Sequence, residues 1–303
     1  MLLFIEQVLN GLQLGFMLFL LSAGLTLVFG VMNLINLAHG SFYMVGAYVA
    51  ATVMQATGSF LLALLVGLIM AGLCGLLVEV IVLRHLYKRD HLDQVLATFG
   101  LILFFNEGTR MIWGRQPLFM QVPELFSGSV EILPGIPYPV YRLLIIVTGL
   151  LVATGLYLLI NHTRLGMRIR AGASNRSMIA ALGVNIRWLY SLVFALGALL
   201  AGFAGVMAAP LFAVESGMGE SILILTFVVI VIGGIGSVKG ALLGALLVGL
   251  VDTLGRAFLP DLLQWMSASD NANSIAASLS SMGIYLLMAA ILAFKPRGLF
   301  PAG

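Results

Sequence analysis

Charge is the scarcest property of this chain. Asp, Glu, Lys and Arg make up 9% of its 303 residues, against about 25% in a typical soluble domain. From Gln7 to Val78 there is none at all. A run of that length cannot form a soluble surface, so it must cross a membrane more than once. Cysteine is nearly as scarce: Cys74 is the only one, which excludes an intrachain disulfide and a cysteine metal cluster. The N-terminus MLLFIEQVL lacks a basic n-region and a nearby small-residue cleavage site, so no cleaved signal peptide is read there. HExxH, GxSxG and CxxC are missing, and His39, His85, His91 and His162 are scattered. Catalytic chemistry and a resident cofactor or metal are not expected.

Apolar residues fill the space that charge leaves. They amount to 61% of the chain, and the mean hydropathy is +1.11. The runs are long rather than alternating, which argues against a β-barrel. They continue along the whole sequence without a soluble block. The expected fold is all-α: one integral-membrane domain over residues 1–303, a polytopic bundle of about eight or nine spans. At about 20 apolar residues per span, the candidates are 8–30, 35–55, 60–83, 93–113, 142–160, 188–208, 220–235, 240–258 and 281–294. The polar island Asn33, Asn36, His39, Gly40, Ser41 is expected to break a helix, and Gly233–Gly240 is a candidate re-entrant stretch. Small residues recur at helical spacing, as in Gly11 with Gly15 and Gly197 with Ala201 and Gly205, which lets helix backbones approach closely in lipid.

The net charge is +3, but the basic residues cluster in short loops, a signature of membrane orientation rather than of nucleic-acid binding. Arg84, Lys88 and Arg89 follow the third span, Arg164 to Arg187 the fifth, and Lys295 and Arg297 the last. With nine spans all three sets fall on one side, which should be cytoplasmic. The N-terminus is then outside and the C-terminus inside. The loop 114–141 carries Pro117, Pro123, Pro134, Pro137 and Pro139 and is expected to be an ordered external cap rather than a helix.

The segment 161–187 holds five arginines, and no acidic residue occurs from Ile132 to Val214. Ser174 or Asn175 can cap a short helix through Met178, Ile179, Ala180 and Leu182 that Gly183 ends. Such a helix suits docking into a cytoplasmic partner as an apolar ridge in a groove; positive-inside anchoring alone would also explain the arginines. Within the spans, Glu79 has Arg84 in reach, Glu107 has Arg110, and Asp252 has Arg256, which favours structural pairing over proton coupling. GGIGSVKG at Gly233–Gly240 is not a phosphate loop, because Gly240 stands where Ser or Thr must follow the lysine.

Four stretches carry a family resemblance. GLTLVFGVMNLINLAHGSFYMVGAYVAA (Gly24–Ala51), RLGMRIRAGASNRSMIAALGVNIRWLYSLVFALGALLAGFAGVM (Arg164–Met207), GGIGSVKGALLGALLVG (Gly233–Gly249) and FKPRGLF (Phe294–Phe300) resemble, in order, segments of the branched-chain amino-acid permeases of ABC importers. The chain looks like the shorter of the two permease subunits of these systems; the polar stretch SASDNANS (Ser267–Ser274) departs from the pattern. The resemblance implies a permease of the bacterial inner membrane acting with a second permease, two cytoplasmic ATPases that bind the ATP, and a periplasmic substrate-binding protein. It implies import of leucine, isoleucine and valine, with urea or short amides as the alternative cargo within the same family. Arg170, Asn175, Arg176, Ala180 and Gly183 then belong to the coupling element, and Asn33, Asn36, His39 and Gly40 are candidates near the pathway. Apart from the resemblance, an ion-coupled secondary carrier and a passive channel stay open.

Overall fold

The computed structural model describes residues 2–87, 89–267 and 272–300. Lys88 and residues 268–271, half of the Ser267–Ser274 stretch, lie outside the described residues. The apolar runs form α1 (Leu2–Met32), α2 (His39–Thr57), α3 (Phe60–Val78), α5 (His91–Trp113), α6 (Val140–His162), α9 (Ile186–Ala208), α10 (Met218–Gly233), α11 (Val238–Ser267) and α12 (Ala272–Phe294). Each of the nine expected spans is thus occupied by a helix. Six helices are long and apolar enough to cross a membrane by length and composition; Met218–Gly233 and Ser278–Phe294 are shorter apolar helices. After α3 comes a π-turn, Glu79–Leu83, and the single turn α4 (Arg84–Leu86).

Local sequence sets the helix ends. Ser59 caps α3 by accepting the Leu62 N–H, and Asn185 caps α9 by accepting that of Trp188. The proline-rich loop folds as expected without an α-helix: a 3-10 turn at Glu124–Phe126 precedes an antiparallel hairpin, β1 (Ser129–Leu133) with β2 (Ile136–Pro139).

One expectation about breaks holds and one is corrected. The polar island breaks the helical run: Asn33 to Ala38 join α1 to α2, and the second helix starts at His39 rather than 35. Asn33 holds φ +50, the one left-handed non-glycine among the described residues, and its N–H reaches the Phe29 carbonyl at 2.8 Å. It therefore ends α1 as a C-terminal cap. Gly233–Gly240 is not re-entrant. α10 and α11 meet there in a tight turn, because a Cβ on Gly233 would stand 2.2 Å from the Gly240 carbonyl oxygen, so the two helices leave with their backbones in contact.

Burial separates a centre from a periphery. The apolar window of α1 is 83% buried and that of α9 67%, whereas α5 and α6 bury 17% each. α1 packs on α9 and α11, and α2 packs on α3 and α9. The crossings run through glycine: a Cβ on Gly15 would lie 2.8 Å from Leu246 Cα, one on Gly46 2.5 Å from the Gly202 oxygen, and one on Gly205 2.0 Å from the Tyr43 oxygen. Without a hydrophobic force between helices in lipid, such backbone approach is what dispersion packing can use.

The basic loops gather at one end of the bundle. Arg84 bonds Ser191 near the start of α9, Lys239 lies over Tyr157 near the end of α6, and the Phe300 N–H bonds Gly233 at the end of α10. At the other end Asn10 accepts from Tyr138 and Arg142, and Leu118 pairs with Val214. Gly46→Leu should destabilise the bundle by about 1–3 kcal/mol or more, as overpacking does. Gly100→Leu, where nothing lies within 4 Å, should be tolerated. Melting temperatures of the two variants in mild detergent check this.

Candidate functional site

Two polar regions stand out, one inside the bundle and one at its basic end. The first is the junction where α2 and α10 begin. His39 Nε2 lies 3.2 Å from the Leu21 carbonyl. Leu21 is eleven residues before the end of α1, roughly 16 Å along its axis. After α1 ends, the chain therefore turns back and starts α2 part of the way along its neighbour. α10 starts at the same level, because Gly40 and Gly219 touch: a Cβ on Gly40 would be 2.1 Å from the Gly219 oxygen. At 16 residues, α10 is about 24 Å long, short of a 30 Å hydrocarbon core. Two helix starts thus meet within the bundle.

The four residues expected near the pathway take different places. Asn33 is exposed at the end of α1. Asn36 is fully buried, its Oδ1 accepting the Ala38 N–H at 3.1 Å and its Nδ2 unpartnered. This Asx-type bond holds the turn that launches α2. His39 is buried; its contact with the Leu21 carbonyl makes Nε2 the protonated nitrogen, and Nδ1 has no partner. Gly40 is the packing contact itself.

The second region is 161–187. It contains two helices where one was expected: α7 (Arg164–Ser174) and α8 (Arg176–Ala181). Thr163 caps α7 through the Gly166 N–H. Asn175, not Ser174, caps α8, its Oδ1 accepting from the Met178 N–H at 3.0 Å and the Ser177 hydroxyl at 2.8 Å. Gly183, at φ +85, closes α8 with a paired arrangement: its own N–H bonds the Ala180 carbonyl, and the Val184 N–H bonds that of Ile179. This is a Schellman end, and it needs the left-handed residue. Ile179 is buried beneath the helix, while Met178 and Leu182 are 60% and 76% exposed. Ala180 is exposed between them, and Arg176 reaches over the Tyr190 ring. A small, doubly capped helix therefore presents two apolar side chains beside a cation.

Arg170 faces elsewhere. Its guanidinium donates to the Ile160 carbonyl, satisfying one of the last acceptors of α6. It also lines a cavity of about 510 Å³ that includes Thr26, Tyr157, Ser237 and Lys239.

Beside α8 a buried carboxylate ties α3 to α9. Glu79 has no exposed surface; it receives Arg84 at 3.2 Å, Tyr87 at 2.5 Å and Ser191 at 2.5 Å. Burial, with the Glu79 carboxylate next to it, raises the Tyr87 phenol above its usual range, so it stays a proton donor. The other two expected pairs also form: Glu107 with Arg110 at 2.6 Å, and Asp252 with Arg256 at 2.9 Å. Sequence reading missed the partners from distant segments. Ser191 joins Glu79, Ser281 joins Arg256, and Ser216 joins Arg110. Asn106 also donates to Glu220. Only the local spacings carried a signal.

A multi-pass helical bundle with paired carboxylates and a capped helix at its basic end has the build of a membrane permease. The family model described as branched-chain amino acid transport system / permease component matches residues 7–292, and the chain belongs to that family. It is 30% identical over 272 residues to the high-affinity branched-chain amino acid transport system permease protein BraD of Pseudomonas aeruginosa, covering 85% of this chain and 88% of that one. It is 29% identical over 270 residues to the Escherichia coli K12 protein LivH of the same description, covering 84% and 87%. The ribose import permease protein RbsC of Escherichia coli K12 is similar at 26% over 244 residues, 77% and 72% of the two chains. No solved structure gives a significant match. The chain is thus a multi-pass permease component, one part of a transport system with further components.

Arg84→Ala would leave the Glu79 carboxylate buried with two neutral donors. It should cost roughly 1–3 kcal/mol, the worth of a hydrogen bond to a charged group. A lowered melting temperature in detergent is the expected result; an unchanged one would mean that water replaces the guanidinium.

Proposed function

We propose that this chain is the transmembrane permease subunit of an ATP-driven importer for branched-chain amino acids: leucine, isoleucine and valine. The family membership and the names of the relatives at about 30% identity support that substrate class. The weaker similarity to a ribose permease supports the import mechanism rather than the cargo. The system sits in the inner membrane. The basic end faces the cytoplasm, as the positive-inside rule requires, so the N-terminus is outside and the C-terminus inside. A second permease completes the pathway, a substrate-binding protein delivers the amino acid at the hairpin end, and two ATPases dock at the basic end. ATP is bound there, not by this chain.

The observation that carries the reading is α8. Its exposed Met178 and Leu182 form an i, i+4 ridge with Arg176 beside it, and such a ridge fits an apolar groove. Arg170, Asn175, Arg176, Ala180 and Gly183 constitute the coupling element, with Arg170 tying its first helix to α6. Closure of the ATPase pair displaces the groove and α8 with it. α9 follows directly, and α3 follows through the Glu79–Ser191 contact. A secondary carrier is the weaker reading, because all three carboxylates expected within the spans have a guanidinium partner.

The test is uptake of radiolabelled leucine by proteoliposomes carrying the assembled system. Uptake should require internal ATP in the wild type. Gly183→Val forces a branched residue into φ +85 and should lower uptake at least about tenfold by breaking the α8 end. Arg176→Ala should reduce it less, and both variants should still insert in the membrane. ATP-independent uptake, or an unaffected Gly183→Val, would refute the coupling role.

A further inference from the structure

The outer part of α5 presents a contradiction if it faces lipid. α5 has 23 residues and is about 34 Å long, so Glu107 lies about 9 Å and Asn106 about 10 Å inward from Trp113. Yet the Glu107 side chain is 65% exposed and that of Arg110 43%. Charge at such depth is expensive in hydrocarbon and is found where a face meets water or protein.

The charges form a cluster with the start of α10. Arg110 reaches both Glu107 at 2.6 Å and Ser216 at 3.0 Å, and Asn106 donates to Glu220. Glu215, exposed in the same loop, adds a third carboxylate, so three carboxylates accompany one guanidinium. The cluster retains an uncompensated anionic side for an ammonium and a guanidinium for a carboxylate. Inward on the same helix, Leu103, Phe99, Leu96 and Leu92 are exposed at i, i+3 and i+4 spacing, in line with Glu107 and Arg110. One stripe therefore carries a charged upper part above an apolar lower part. That matches a zwitterion with a branched hydrocarbon side chain. Its inner neighbour is the Gly40–Gly219 contact, where both helix starts meet.

We infer that the α5–α10 face lines the water-filled path, and that Glu107, Glu220 and Arg110 hold the ammonium and carboxylate of the passing amino acid. This rests on the importer reading and adds the residues that meet the cargo. Water flanks Glu107 in the assembled importer, and the partner permease stands across the path rather than against this stripe.

The single cysteine makes the test practical. In the complete importer, Cys74→Ala is combined in turn with Glu107→Cys, Leu103→Cys and, as a lipid-facing control on α6, Leu151→Cys, which is 65% exposed. Each is treated with a charged, membrane-impermeant methanethiosulfonate and with uncharged N-ethylmaleimide. The charged reagent should label the Glu107 and Leu103 positions roughly a hundredfold faster than Leu151, the factor that excluding a charge from hydrocarbon implies. Leucine with its binding protein and ATP should slow that labelling. Reaction at Glu107→Cys with N-ethylmaleimide alone, or with neither reagent, would mean that lipid or the partner rather than open water covers the position; either result overturns the inference. Independently, Glu220→Gln should cut maximal leucine uptake at least tenfold, and Glu131→Gln on the hairpin should not. If the wild type takes up leucine with ATP but Glu107→Cys stays unlabelled, the path assignment fails and the importer reading stands. If the wild type shows no ATP-dependent uptake, the importer reading itself has failed.

Discussion

Everything in this bundle depends on backbones touching. Gly40 meets Gly219, Gly24 meets Gly197, Gly46 meets Gly202, and Gly233 meets Gly240. In lipid, apolar side chains gain little by leaving hydrocarbon for protein, so association must come from close dispersion contact and from polar groups satisfied inside. The glycine contacts provide the first. They also let two helix starts sit inside the bundle, where bulkier residues would hold the segments apart. The same helix–break–helix device appears twice, α1 with α2 and α9 with α10, and the two copies cross at Gly40 and Gly219.

Polar groups supply the rest, and each carboxylate does a separate task. Glu79 has no exposed surface and gathers three donors, so it acts as a fastener between α3 and α9. Asp252 and Arg256 tie α11 to Ser281 on α12. Glu107 and Arg110 are paired as well, and Glu107 is the most exposed carboxylate of the three pairs, at 65% against 13% for Asp252 and none for Glu79. The fastener at Glu79 stands at the same end as α8, where Arg176 lies over Tyr190 of the central helix α9.

Much of this was legible in the residues because membrane helices announce themselves. Apolar runs located the nine helices that fill the expected spans, and the three local ion pairs followed from spacings of three, four and five. Asn175 and Gly183 were readable as the ends of α8 because capping chemistry is local. What stayed hidden was contact between distant segments. Ser191 lies 112 residues from Glu79, and Glu220 lies 114 from Asn106; nothing in the spacing links them. α7 was missed because its arginines read as a loop. The glycine stretch Gly233–Gly240 is only a candidate re-entrant segment in the sequence, because glycine marks both a broken helix and a tight helical turn, and only the partner in space distinguishes the two. The polar island divided in the same way: Asn33 is a cap, whereas Asn36 and His39 brace a turn inside the bundle.

The central claim is that α8 couples this permease to an ATPase. It is tested most directly by capturing the tagged chain, co-expressed with its neighbours, from mild detergent and identifying what accompanies it. Two ATPase subunits and a second permease should accompany it, and the ATPases alone should be lost when Met178 and Leu182 are replaced by serine. A stable lone protein or homo-oligomer without an ATPase would contradict it.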